Sequence, residues 1–237
     1  MESEHNCEVW SAGLDRLRPR HLALLDDDER ARAERFTHPE DRDRSVLAAA
    51  LLRLVSARLV GAGAGRSAPR AAARGLEIRR TCVVCGAPHG KPEIGHGLHV
   101  SVSHAGALVV VVATRLASVG VDIEPMTRSD QARAAARTAC AGQEREQITG
   151  GCDALRYWTR KEAIVKASGE GLTVPLADVV VSAPHEPARL LEWAGRPTQE
   201  CTLVDLDLPD GYLGALAVLS AGPLNVLAHC ADELLAA

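Results

Sequence analysis

The sequence predicts an α+β fold. Two observations carry that expectation. Helix-forming amphipathic runs gather at residues 21–60 and 129–168, while short β-branched runs gather at 98–125 and 178–220. Helices and strands are therefore mixed without the strict alternation that a doubly wound parallel sheet requires.

The elements follow in order. LLDDDERARAERF (24–36) has an acidic start followed by strong helix formers, with Asp26 or Asp27 as its cap. PEDRDRSVLAAALLRLVSARLV (39–60) is a second helix, opened by Pro39, with Val46, Ala50 and Leu54 at helical spacing. GAGAGRSAPRAAARG (61–75) reads as a flexible linker. A phosphate loop is excluded there, because Val60 stands at the first-glycine position and Arg66 replaces the lysine. LHVSVSH and ALVVVVAT, parted by a turn at Ala105-Gly106, and then ASVGVDIEP predict three strands in an antiparallel meander. Residues 129–150 read as helical with a break near Gly142, and LRYWTRKEAIVKAS predicts a helix that stops at Gly169. DVVVSA, RLLEWA, CTLVDLDL and YLGALAVLS predict a β-rich C-terminal part.

Composition narrows the function classes. The chain has 237 residues, 46% hydrophobic and 24% charged, which suits one large domain or two smaller ones. A net charge of −4 argues against broad nucleic-acid binding, which needs a basic footprint. Seven cysteines without a dense framework read as reduced thiols in a cytoplasmic protein. The polar N-terminus, MESEHNCEVW, is no signal peptide, and the longest apolar run is too short to span a bilayer.

GVDIEP (120–125) holds the most informative pair of residues. In a strand, Asp122 and Glu124 point to one face and Val121 and Ile123 to the other. Two adjacent like charges need something between them: a basic side chain, a shared proton or a divalent metal. YWTRKEAIVKASGEG adds Glu162 and Lys166, four apart on one helix face in the favourable order for an ion pair.

GKP (90–92), VSVSHAG (100–106), GVDIEP (120–125) and WTRKEAIVKASGEGL (158–172), in this order and spacing, resemble the Sfp-type 4′-phosphopantetheinyl transferases. ERARAERFTHPEDRDRSVLAAALLRLVSARL (29–59) is similar to that family's opening segment. The resemblance implies two similar α+β subdomains related by a pseudo-twofold axis, residues 1–117 and 118–237, with the active site in the cleft between them. It implies transfer of the phosphopantetheine arm of coenzyme A, the co-substrate, to a serine of an apo acyl- or peptidyl-carrier protein, releasing adenosine 3′,5′-bisphosphate. Mg²⁺, or Mn²⁺ in its place, would be held by Asp122, Glu124 and Glu162, and Lys166 would contact the phosphates. One shared proton does not reconcile three carboxylates, and Lys166 alone leaves excess negative charge, so a divalent cation suits the set. Ser103, His104, Lys91, Arg32 and Arg44 match the family's coenzyme-binding positions. Glu29 falls where the best-known members have a lysine, and that contact is a departure. Glu144 stands at the general-base position, although Cys140 and Ala141 replace the usual Phe-Ser, and Glu146 is its neighbour and competitor. A monomer, acting in secondary metabolite biosynthesis without nucleic acid or membrane, completes the implied picture. A catalytically inactive coenzyme A- or carrier-binding protein is the alternative, opposed by the intact Asp122, Glu124, Glu162 and Lys166.

Two features remain outside that reading. CVVCGAPHG (82–90) has the C-x₂-C spacing of a zinc knuckle, with His89 as a third ligand and His96 or His99 as a fourth. A second C-x₂-C is absent, so reduced loop thiols are the expected state. Arg128, Arg133 and Arg137 form a basic stretch, the last two on one helix face, suited to an acidic carrier domain.

Overall fold

The computed structural model describes residues 5–61 and 70–236. Its elements in chain order are β1 (Asn6–Gly13), α1 (Asp27–Glu34), α2 (Pro39–Val60), α3 (Arg70–Gly75), β2 (His99–Ala105), β3 (Leu108–Thr114), β4 (Val119–Pro125), α4 (Ser129–Ala139), α5 (Gly142–Glu146), α6 (Gly151–Ser168), β5 (Val179–Val181), β6 (Leu190–Trp193), β7 (Thr202–Asp205), β8 (Tyr212–Val218), β9 (Asn225–Cys230) and α7 (Asp232–Ala236). The α+β expectation holds. The chain divides into two compact units, Met1–Arg115 with Asn225–Ala237, and Leu116–Leu224.

In the first unit the sheet order is β2-β3-β1-β9. The seven residues of β3 are buried, as the run LVVVVAT requires of a central strand. Val109, Val111 and Ala113 share a core with Trp10, Ala12 and Val100 and with α2. The helix α2 is buried from Val46 to Ala57, including Arg53. That guanidinium donates to Glu29 at 2.6 Å, to Asp26, and to the carbonyls of Ala73 and Leu76 at 3.2 and 2.9 Å. Of the two candidate caps for α1, Asp26 fills the role: its carboxylate accepts from the Glu29 amide at 2.8 Å.

Three sequence expectations change here. Strand β4 does not extend the β2–β3 hairpin into a meander but pairs with β8 in another sheet. The linker reading fails at its end, where Arg70–Gly75 is helical, while 62–69 lies outside the described residues. Residues 225–230, placed by sequence with the second half, form β9 and run parallel to β1 in the first unit. Pairing across almost the whole chain leaves no local periodicity to read.

The second unit carries sheets of order β4-β8-β7 and β5-β6. Helix α6 lies directly on β4. A Cβ on Gly120 would stand 2.0 Å from the Ala163 carbonyl oxygen and 2.3 Å from the Ala167 amide nitrogen. Only glycine allows that approach, and the approach sets the Asp122 side of β4 beside the Glu162 side of α6. Arg160, fully buried on the same helix, is fixed by Asp205 at 2.9 and 2.7 Å and by the carbonyls of Ser182, Ala183 and Glu186.

Candidate active site

The acidic cluster of the second unit is built from one strand and one helix. Alternation along β4 puts Asp122 and Glu124 on the same face. Helical spacing on α6 puts Glu162 and Lys166 together. Lys166 Nζ lies 2.5 Å from Asp122 Oδ1, with that carboxylate 7% exposed. Lys166 thus makes an ion pair from helix to strand. Glu124 accepts two bonds from Arg128, at 3.0 and 2.9 Å.

Electrostatics shows that the cluster is under strain of charge. Burial, then the neighbouring Asp122, pushes the Glu124 carboxyl above its ordinary value, against the pull of Arg128 and Lys166. Burial and the charges of Asp122 and Glu124 raise Glu162 in the same way, against Lys166. Three carboxylates face two cationic side chains, which leaves one negative charge. Three oxygen donors of this kind are the donor set that a hard divalent cation takes. The three do not bring one oxygen each within 4.8 Å of the others, and Lys166 and Arg128 hold two of them. The donor chemistry fits a divalent cation, and a cation would have to exchange with those two side chains.

Glu144 lies in the core of the second unit. It is 1% exposed, and both of its oxygens are engaged. Lys161 Nζ approaches Oε2 at 2.5 Å, the Ala141 amide donates to the same oxygen at 2.7 Å, and the Val181 amide donates to Oε1 at 3.0 Å. Lys161 is itself fully buried and gives its other protons to the carbonyls of Ala139 and Leu176, each at 3.0 Å. Both oxygens of this carboxylate are thus held by groups within the core. The competitor Glu146 is exposed but stands at the end of the short helix α5.

The coenzyme candidates lie in the first unit at separate points. Ser103 is buried and His104 exposed, on successive and hence opposite-facing positions of β2. Arg44 donates to the Gly106 carbonyl at 2.8 Å, beside the β2–β3 turn, and pairs with Asp41. Arg32 donates to the Pro88 carbonyl at 2.5 Å and lines a cavity of 380 Å³ with Asp26, Glu29, Arg79 and Arg80. Lys91 is pushed down to about 8 by burial, opposed by Glu93. It lowers His99 in turn, after that ring's own burial.

Residues 118–217 match the family model described as the 4′-phosphopantetheinyl transferase superfamily. Three relatives extend the likeness over most of the chain. The 4′-phosphopantetheinyl transferase HetI of Nostoc sp. is 27% identical over 206 residues, 84% of this chain and 81% of that protein. A putative 4′-phosphopantetheinyl transferase of Synechocystis sp. is 27% identical over 226 residues, 89% and 86%. The 4′-phosphopantetheinyl transferase of Bacillus subtilis is 26% identical over 199 residues, 81% and 75%. Over residues 118–217 the chain is similar to the 4′-phosphopantetheinyl transferase superfamily, and three transferases of that name resemble it over most of its length.

The superfamily match spans the whole acidic cluster, from Asp122 on β4 to Lys166 on α6. Two residues of the cluster's surroundings escaped sequence reasoning. Arg128, grouped with the basic stretch of α4, instead holds Glu124; the four-residue separation of the two was the available signal. Lys161 sits inside the WTRKEA motif, and only its burial shows that it pairs with Glu144.

Proposed function

We propose that this enzyme transfers the 4′-phosphopantetheine arm of coenzyme A to a serine of an apo acyl- or peptidyl-carrier protein, with Mg²⁺ as its cation. The observation that carries the reading is the cluster of Asp122, Glu124 and Glu162 with Lys166, gathered on β4 and α6 within the segment that matches the superfamily. The names of three relatives, each matched over most of its length, support the same reaction.

The chain's own residues divide the work. The serine oxygen attacks the phosphorus that carries the pantetheine arm, the anhydride bond to the other phosphate breaks, and adenosine 3′,5′-bisphosphate leaves. Glu162 belongs to the carboxylate set that faces the phosphates, Glu144 is enclosed in the core, and the serine proton is released to solvent. Lys166, paired with Asp122, is the ammonium that turns to a phosphate oxygen as charge builds on the leaving group. Asp122, Glu124 and Glu162 would hold a divalent ion, which would supply charge neutralisation at the pyrophosphate. In the first unit Arg32, Arg44, Lys91, Ser103 and His104 serve the nucleotide end of coenzyme A. Arg133 and Arg137, exposed on α4, receive the acidic carrier.

Incubation with coenzyme A, Mg²⁺ and apo carriers, followed by mass spectrometry of each carrier, tests the reading. A phosphopantetheine increment on at least one carrier, lost on chelation and restored by Mg²⁺, is expected. No increment on acyl and peptidyl carriers alike contradicts it.

A further inference from the structure

Beyond the acidic cluster, the first unit holds a second set of metal-ligating side chains. Residues 79–93 form a hairpin-like excursion. Arg79 and Glu93 exchange backbone bonds at 2.9 and 2.8 Å, and the Gly90 amide donates to the Arg80 carbonyl at 2.9 Å. A Cβ at Gly90 would stand 2.2 Å from the Thr81 carbonyl oxygen, so the two arms of the excursion are pressed together at that point. At the tip, the Gly86 amide donates to the Cys82 carbonyl and the Cys82 amide to the Ala87 carbonyl, both at 2.9 Å. Gly86 turns the chain there with a φ of 72°.

This tight turn brings Cys82 Sγ, Cys85 Sγ and His89 together. One ligand atom from each lies within 4.8 Å of the others, and among the described residues they are the group of three that does so. Cys85 Sγ and His89 Nε2 are 3.1 Å apart. Bond lengths of about 2.3 Å to sulfur and about 2.0–2.1 Å to nitrogen put tetrahedral ligand atoms roughly 3.5–3.8 Å apart. The Cys85–His89 pair therefore has to open by a few tenths of an ångström, and the Cys82 sulfur, within 4.8 Å of both, has to move by no more than about 1 Å to close on a metal. The amides of Val84 and Cys85 point at the Cys82 sulfur, the arrangement that stabilises a thiolate. Both cysteines are free thiols.

We propose that Cys82, Cys85 and His89 bind a zinc ion at the tip of this excursion. Two thiolates and a neutral imidazole cancel the charge of Zn²⁺, and soft sulfur with imidazole nitrogen selects zinc over the hard cations that suit the carboxylate cluster. His96 and His99 stand outside the group, so the chain supplies three ligands and a water completes the tetrahedron. The ion staples residues 82–89, directly ahead of Gly90 and Lys91. Binding releases the thiol protons to solvent, with no change of oxidation state.

The test uses the full-length, untagged protein purified without chelators or added zinc. Elemental analysis should find about one zinc per chain, in line with a single site. Cys85→Ser should lower that severalfold, while Cys152→Ser, at an exposed cysteine on α6, should leave it unchanged. Co²⁺ exchanged into the wild type should give the intense thiolate charge-transfer absorption, absent from Cys85→Ser. Three results would overturn the proposal: no zinc together with no cobalt–thiolate band, zinc retained in full by the Cys82→Ser/Cys85→Ser double variant, or a Cys82–Cys85 disulfide in the protein as isolated. Transfer activity does not enter these measurements, so the zinc site and the transferase reading fail separately.

Discussion

Lys161 and Glu162 are neighbours on α6, yet they belong to opposite kinds of charge cluster. Lys161 faces the core, where Glu144 and two carbonyls satisfy every proton of its ammonium. Glu162 faces β4, where burial and then two further carboxylates hold its pKa above the ordinary range. The first cluster is closed and neutral and holds the unit together. The second keeps unspent negative charge at the strand end. A buried pair whose partners are all within the chain belongs to the fold, whereas carboxylates that raise one another call for a cation from outside.

Breaking the closed cluster should have the largest effect. Glu144→Ala leaves the Lys161 ammonium buried without its counter-charge and should cost about 3–5 kcal/mol in urea unfolding. Glu162→Gln sharpens the contrast. It removes one of three repelling carboxylates, so stability should hold or rise, while transfer to a carrier should fall roughly 10²–10³-fold. A third prediction concerns Asp205, which holds the buried Arg160 on the core side of α6. Hydrogen bonds from Arg160 and Arg156 outweigh burial and depress its carboxyl. A depressed folded pKa contributes stability above the unfolded value, near 3.9, and loses it as the pH falls through the folded value. Asp205→Asn should therefore cost about 1.5–3 kcal/mol at neutral pH and progressively less in acid, as followed by thermal melts across pH. The smallest effect belongs to Arg128→Ala. Arg128 is exposed, so stability should change by no more than about 0.3–0.5 kcal/mol. Glu124, stripped of both bonds, should titrate higher still by NMR.

Local patterns carried the parts of this picture that local patterns govern. Alternation in GVDIEP put Asp122 and Glu124 on one face, and the four-residue spacing in KEAIVK put Glu162 beside Lys166. What escaped depends on distant contacts. Lys166 pairs with Asp122 across 44 residues, and β9 pairs with β1 across the chain. Glu144 matched the family's base position in sequence, and spacing does not report that it is buried. Cys82, Cys85 and His89 looked like half a site because sequence does not show the turn at Gly86 that brings them together.

The division of α6 into a structural face and a reactive face is tested most directly by one paired measurement. Glu144→Gln and Glu162→Gln are assayed for phosphopantetheine transfer by carrier mass, with rates normalised to the folded fraction of each variant. Glu144→Gln should transfer at close to the wild-type rate per folded molecule, and Glu162→Gln should be slower by about two orders of magnitude or more. The reverse order, with Glu144→Gln inactive although folded and Glu162→Gln near wild type, would contradict the account.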